Sequence, residues 1–170
     1  MSPEPTRRTP EGRARGSRRA APNLRLLLVC EPFGSSLGAE AVARWLTRGL
    51  EEGGLPGPDL LPLPGGLGAG PQLSELLEHE HFHQRLADAR ALVIATALLD
   101  GRRLQDTSAF ELATRARQGG VPSYAVTGEN GLDSFQARIL DLQLILLAAA
   151  PRSLRAAGRG LAEEVLAGLR

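Results

Sequence analysis

Short apolar runs alternate with amphipathic segments along the chain from Asn23 onward. The apolar runs are short, aliphatic and bounded by Gly, Pro or polar residues, which is typical of strands buried on both faces. We place them at 24–30, 59–63, 91–95, 121–126 and 142–147. Helical spacing predicts helices over 39–51, 73–88, 107–118 and 132–140, and a last helix capped by Ser153 that ends near residue 168.

This alternation constrains the fold strongly, because strands that are separated by helices form a parallel sheet through right-handed crossovers. We therefore predict an α/β fold, a Rossmann-like three-layer sandwich with a mostly parallel sheet of about five strands. Pro62 favours an edge position for the second strand. Ligands of such folds bind beyond the carboxyl ends of the strands, so the loops 31–38, 64–70, 96–106 and 127–131 are the expected site.

The charges are unevenly distributed along the chain. All twenty basic side chains are arginines, and six of them lie within residues 1–22 beside two acids. The other residues carry 14 arginines against 17 acids. We predict a disordered arginine-rich tail over 1–22 and a single domain over 23–170, with a tether to an anionic surface or a twin-arginine export signal as alternatives for the tail. The mildly acidic domain argues against specific nucleic-acid binding.

Cysteine usage and hydropathy bear on the compartment. Cys30 is the one cysteine, so no internal disulfide can form, which favours a reducing compartment and a cytoplasmic protein. Because Cys30 ends a predicted buried strand, we expect an inert thiol. The sequence has no run of eighteen apolar residues, so no membrane span is predicted.

Three segments carry a family resemblance. Residues 30–37 read Cys-Glu-Pro-Phe-Gly-Ser-Ser-Leu before a helix, residues 63–69 read Leu-Pro-Gly-Gly-Leu-Gly-Ala, and residues 92–100 read Leu-Val-Ile-Ala-Thr-Ala-Leu-Leu-Asp. In this order they resemble the signatures of the type I glycerate kinase family, transferases that phosphorylate glycerate with ATP. The stretches 120–128 and 151–154 follow the order of the family as well, and the resemblance covers 24–70 and 80–168.

The resemblance implies ATP and Mg²⁺ as cofactors and glycerate, a small organic acid, as substrate. Glu31 and Asp100 are the candidate Mg²⁺ ligands because Mg²⁺ prefers oxygen donors and both are acids of these loops. The alternative is a solvated loop acid for Glu31 and a loop or capping acid for Asp100. Arg102 and Arg103 are the candidate groups that neutralise phosphate. The predicted cofactor-binding residues are Ser35, Ser36, Gly65, Gly66, Gly68, Thr127 and Gly128. For the glycines within 65–68 we favour the alternative of a flexible remnant where the second domain was lost. Ser35 and Ser36 precede a helix start that could hold an anion or simply be capped.

The sequence also departs from the family pattern. Gly34 and Thr107 stand where members have lysines, and Ala97 stands where they have a glutamate. Members carry a second domain in the middle of the chain, where this sequence has only the stretch 71–79. Phosphoryl transfer depends on positioned cations, and arginine does not reproduce the geometry of lysine.

Two hypotheses follow from these departures. The first is a weak or altered kinase in which a second copy of the chain closes the cleft as a homodimer. The second is a pseudoenzyme, a catalytically silent ligand-binding or interaction module of the same fold. The lost charges favour the second hypothesis.

A histidine cluster suggests a separate metal site. Residues 78–83 read Glu-His-Glu-His-Phe-His, and His79 and His83 are four residues apart, so one helical face could present two imidazoles with a carboxylate nearby. A solvated helix surface is the alternative, and we favour it because three ligands on one exposed helix make an open site.

Overall fold

The computed structural model of the protein describes residues 21–170. Most of the predicted tail over 1–22 thus lies outside the described residues. Within the described part the strands are β1 (Leu27–Cys30), β2 (Asp59–Pro62), β3 (Leu92–Leu99), β4 (Ser123–Asn130) and β5 (Leu142–Leu147). The helices are α1 (Ala39–Glu52), α2 (Pro71–His79), α3 (Phe82–Ala87), α4 (Ser108–Gln118), α5 (Ser134–Leu140) and α6 (Pro151–Ala167), and a 3-10 turn covers Leu104–Asp106.

The five strands form one parallel sheet in the order β2-β1-β3-β4-β5. This confirms the predicted α/β fold, and Pro62 ends an edge strand as expected. From β1 the chain moves outward to β2 on one side, whereas β3, β4 and β5 follow on the other side. The order therefore reverses between β1 and β3, where the loops that leave the two strands diverge and open a crevice.

Two aliphatic cores cover the two faces of the sheet. Successive side chains of a strand point to opposite faces, so Leu28 packs with Val42 of α1 and Leu161 of α6 in one core. Leu27 packs in the other core with Leu77 of α2 and Leu112 of α4. The result is a three-layer sandwich that holds the ends of β1 and β3 rigidly.

The predicted helix over 73–88 is wrong as one continuous element, because His81 adopts a left-handed conformation with φ 55° and separates α2 from α3. In an unbroken helix the apolar stripe of Leu73 and Leu77 would continue at polar residues 80, 81 and 84. The break changes the phase of the helix so that Phe82 is fully buried in the same core.

The break also overturns the single helical face predicted for His79 and His83, which lie on different helices. The Nε2 atom of His83 instead lies 3.2 Å from Nη1 of Arg115. The histidine pair therefore does not form the proposed metal-binding face.

Two further predictions about element ends are corrected. Ser153 is not the N-cap residue of α6, because the helix begins at Pro151 and Ala150 is the N-cap residue, but its side chain still caps the first turn from the N3 position. The Oγ atom of Ser153 accepts a hydrogen bond from the Ala150 amide at 3.1 Å. The predicted loops 96–106 and 127–131 begin too early, because β3 and β4 stay paired as far as Leu99 and Asn130.

Helices α1 and α6 approach each other at backbone distance through glycines. A Cβ atom on Gly158 would lie 2.4 Å from the carbonyl oxygen of Leu46, and one on Gly49 would lie 2.0 Å from that of Arg155. On the same helix, a Cβ atom on Gly160 would make an ordinary contact 3.5 Å from Leu146.

Among residues 21–170, no helix has both the length and the hydrophobicity that crossing a membrane requires.

This crossing gives a stability prediction with a matched control. Gly158→Ala should lower the free energy of unfolding by about 1–3 kcal/mol, because the added methyl group overpacks against backbone that cannot move aside. Gly160→Ala should be neutral or stabilising by up to about 1 kcal/mol, because alanine favours the helix. Urea unfolding of both variants measures this, and equal effects would contradict the close crossing.

Candidate functional site

A pocket of about 360 Å³ lies at the carboxyl ends of β1 and β3, where the strand order reverses. We call it the switch-point pocket. Its wall is formed by the end of β1, the end of β3, the glycine loop 64–70 before α2, and the turn that leads into α4. The lining residues are Glu31, Gly66, Gly68, Thr96, Leu98, Asp100, Arg103, Asp106, Thr107, Ser108 and Ala109. Small-molecule sites typically begin at about 300 Å³, so the pocket is large enough for a small ligand.

Glu31 is the most tightly positioned acid of the pocket. The hydroxyl of Thr96 donates to Oε2 of Glu31 at 2.6 Å, and the hydroxyl of Ser108 donates to Oε1. Thr96 and Ser108 are both buried, whereas Glu31 is half-buried. Each carboxylate oxygen therefore receives one hydroxyl and keeps acceptor capacity for a ligand.

Local structure explains how three elements converge on this carboxylate. The Glu31 amide donates to the Ala95 carbonyl at 2.9 Å, which extends the pairing of β1 with β3 by one residue and places Glu31 beside Thr96. Thr107 is the N-cap of α4, and its hydroxyl accepts from the Phe110 amide at 3.2 Å. The cap fixes the first turn of α4 and thereby the position of Ser108.

The glycine loop forms the wall opposite α4. The Ala69 amide donates to the Asp106 carbonyl at 2.8 Å, which joins the loop to the 3-10 turn. Gly68 has φ 59°, and a Cβ atom there would lie 2.8 Å from the same carbonyl oxygen. Only glycine meets both requirements without strain, so this position is specified by the close approach of two loops.

The charges of the pocket are predominantly negative. Glu31, Asp100 and Asp106 line it together with one cation, Arg103, whose Nε lies 3.9 Å from Oδ2 of Asp106. Asp100 accepts from the Arg102 amide through Oδ1 at 2.9 Å, which orients the carboxylate through a short turn. An anionic ligand would thus be repelled unless a cation accompanied it.

Mg²⁺ fits the donor chemistry of this pocket. Glu31 and Asp100 offer carboxylate oxygens, and Mg²⁺ commonly uses one or two carboxylates together with phosphate oxygens and waters. Over residues 21–170, no group of three or more His, Cys, Asp or Glu side chains is arranged to hold a metal ion. A Mg²⁺ ion at this place would have Glu31 and Asp100 as protein ligands and would need its other oxygens from a ligand or water.

The structure brings some of the predicted site residues together and separates others. The pocket contains Glu31, Gly66, Gly68, Asp100 and Arg103. Five other predicted residues do not line it: Ser35 and Ser36, Gly65, Thr127 and Gly128. Arg102 lines a neighbouring cavity.

Three of the predicted residues that do not line the pocket make close contacts with neighbouring backbone or side-chain atoms. The hydroxyl of Thr127 is buried and donates to the Glu129 carbonyl at 2.8 Å. A Cβ atom on Gly128 would lie 2.9 Å from the Ala97 carbonyl oxygen, and one on Gly65 would contact the Pro32 ring.

Ser35 and Ser36 are exposed in the loop before α1. The alternative that a serine caps this helix is wrong, because Gly38 is the N-cap residue. Their role as anion ligands stays a prediction.

Thr96 and Ser108 are the site residues that sequence reasoning missed. They lie 65 and 77 residues from Glu31 along the chain, so no local spacing connects them. One signal was available in the sequence. Thr96 follows the predicted strand 91–95, and Ser108 lies at the start of the predicted helix 107–118. In α/β folds, ligand-binding groups collect in the loops between a strand and the next helix.

Cys30 is fully buried and precedes Glu31 at the end of β1. Burial raises the pKa of the Cys30 thiol strongly, and the negative charge of Glu31 raises it further. Burial and the raised pKa both favour the protonated thiol at neutral pH, which agrees with the expected inert thiol.

No protein-family model matches the chain, and comparison with curated proteins finds no match. The family resemblance therefore rests on the signature segments themselves, and the site must be interpreted from its own geometry.

The hydroxyl contacts of Glu31 predict energetic coupling. Ser108→Ala should lower the free energy of unfolding by about 1.5–3 kcal/mol, because it leaves a half-buried carboxylate without one of its donors. In a Glu31→Ala background the same substitution should cost about 1–2 kcal/mol less. Chemical unfolding of the four proteins of this cycle measures the coupling. Ser36→Ala, in the exposed loop after β1, should be neutral, and additive effects in the cycle would exclude the contact.

Proposed function

We propose that this chain is a glycerate kinase-like protein that binds the Mg²⁺ complex of a nucleotide in the switch-point pocket, and that its phosphoryl transfer is weak or lost. One observation carries the proposal. At the reversal of strand order, Glu31 is fixed by the hydroxyls of Thr96 and Ser108 and shares the pocket with Asp100. Such a carboxylate pair suits a hard cation.

The sign of the pocket charge supports a metal complex rather than a free anion. Glu31 and Asp100 would hold Mg²⁺, and Arg103 would contact a phosphate oxygen. When bound, Mg²⁺ supplies positive charge that neutralises the phosphates. The protein's own contribution is to orient the two carboxylates and to enclose the ligand between the glycine loop and α4.

The absence of lysine argues against efficient phosphoryl transfer. The chain has no lysine, and Thr107, at one family lysine position, uses its side chain to cap α4. Gly34, at the other, has φ 70°, a conformation that a lysine would adopt only with strain. A positioned cation on the moving phosphoryl group is worth several orders of magnitude in rate, so its loss matters more for catalysis than for binding.

A second candidate function is phosphorylation of glycerate with ATP. Arg103 favours it, because this residue brings a permanent positive charge into the pocket beside the carboxylates. A coupled ADP-release assay with glycerate and the full chain distinguishes the two candidates. Turnover of about 1 s⁻¹ or more that Asp100→Ala abolishes would overturn the proposal of weak or lost transfer and would support the kinase.

Ligand binding is testable through thermal stability. At tenfold its dissociation constant, Mg·ADP should stabilise the protein by about 1.4 kcal/mol and raise the melting temperature by roughly 3–6 °C. EDTA should abolish the shift, because the acidic pocket repels the free nucleotide.

Two single substitutions test whether Glu31 contributes to binding of the metal–nucleotide complex. Glu31→Gln should weaken binding at least tenfold, since it removes one charge from the metal site. Glu129→Gln, an exposed acid at the end of β4 outside the pocket, is the matched control and should bind like the wild type. If neither Mg·ADP nor Mg·ATP shifts the melting temperature at millimolar concentration, the proposed function is wrong.

A further inference from the structure

A second cavity of about 430 Å³ adjoins the switch-point pocket and shares Arg103 and Asp106 with it. It lies between the loop that follows β3 and helix α5. Its distinctive side chains are those of Arg102, Phe110, Phe135 and Ile139. Because two residues line both spaces, the two cavities lie side by side along the segment that follows β3.

The walls of the second cavity are fixed by a clasp between α5 and the loop after β3. The side-chain amide of Gln136 donates to the Gly101 carbonyl at 2.7 Å, and its Oε1 accepts from the Asp133 amide at 3.0 Å. In turn, Oδ1 of Asp133 accepts a hydrogen bond from the backbone amide of Gln136 at 2.7 Å. The cavity is therefore formed before any ligand arrives, which lowers the entropic cost of binding.

The lining combines an aromatic surface with an uncommitted cation. The side chain of Phe135 is 65% exposed, although a phenylalanine ring gains free energy from burial. Asp133 is engaged as the cap of α5, and Oδ2 of Asp106 lies 3.9 Å from Nε of Arg103. Within residues 21–170, no carboxylate lies within 4 Å of the Arg102 guanidinium.

We infer that the second cavity binds the base of the nucleotide whose phosphates and Mg²⁺ occupy the switch-point pocket. This inference rests on the proposed function and adds to it a site for the aromatic part of the ligand. The base stacks on Phe135, with the edge of the cavity closed by Phe110 and Ile139. Arg102 stacks on the base or meets its polar edge, since a guanidinium combines a flat face with several donors.

Two ligands distinguish binding of the base from binding of the phosphates: Mg·ADP carries both, whereas Mg·pyrophosphate carries phosphates alone. Binding of Mg·ADP and of Mg·pyrophosphate is measured by isothermal titration calorimetry with the full chain. Phe135→Ala should weaken Mg·ADP about tenfold, since base stacking on an aromatic ring is worth about 1–3 kcal/mol. It should leave Mg·pyrophosphate unchanged within about twofold, because pyrophosphate has no base to stack.

Matched variants control for folding and for nonspecific loss of apolar surface. Phe135→Trp should retain Mg·ADP binding, because indole stacks at least as well as phenyl. Leu147→Ala, which removes an equally exposed side chain that lines neither cavity, should bind both ligands like the wild type. An unchanged melting temperature of Phe135→Ala would show that the loss concerns the ligand and not the fold.

The outcomes distinguish the two proposals. If Phe135→Ala binds Mg·ADP as tightly as the wild type does, the base site is wrong while the switch-point pocket stands. If the wild type binds Mg·pyrophosphate and Mg·ADP equally well, the base contributes nothing and the inference also fails. If the wild type binds neither ligand, both the proposed function and the base site are overturned.

Discussion

The pairing of β1 with β3 is the contact on which the site depends. It aligns Leu27 with Leu92 and Cys30 with Ala95, and one further backbone bond, from Glu31 to Ala95, continues it past the strand. Because β2 and β4 lie on opposite sides of this pair, the loops that leave β1 and β3 diverge. The space between them becomes the pocket, and Glu31 points into it from a position that the buried sheet fixes.

Electrostatics then limit what this pocket can bind. Three carboxylates and one guanidinium line it, so a divalent cation would favour the entry of a phosphorylated ligand. The adjoining cavity shares Arg103 and Asp106 with the pocket and adds an exposed phenylalanine and an arginine whose guanidinium has no carboxylate within 4 Å among the described residues. A ligand with a metal-bound anionic end and a flat aromatic end matches the two spaces together. That complementarity, more than any single side chain, is the argument for a nucleotide.

Sequence patterns predict the fold well because parallel strands and amphipathic helices leave periodic signals. The edge position of β2 and the end of α1 at Gly53 could both be inferred from local residue types. The break at His81 could not, because it satisfies a tertiary requirement, the burial of Phe82. The partners of Glu31 were missed for a similar reason, since Thr96 and Ser108 reach it only after the sheet has formed. The second cavity depends on the clasp between Gln136 and Gly101, which are 35 residues apart.

The central claim is that a Mg²⁺–nucleotide complex binds where β1 and β3 end, and backbone amide NMR during a Mg·ADP titration tests it most directly. The account predicts shifts at Glu31, in the glycine loop at Gly66 and Gly68, and from Thr96 to Ser108, with little change along α1 and α6. Without Mg²⁺ the same titration should leave these amides unshifted, because the pocket is acidic. Shifts confined to α1 and α6, or none at saturating Mg·ADP, would contradict the claim.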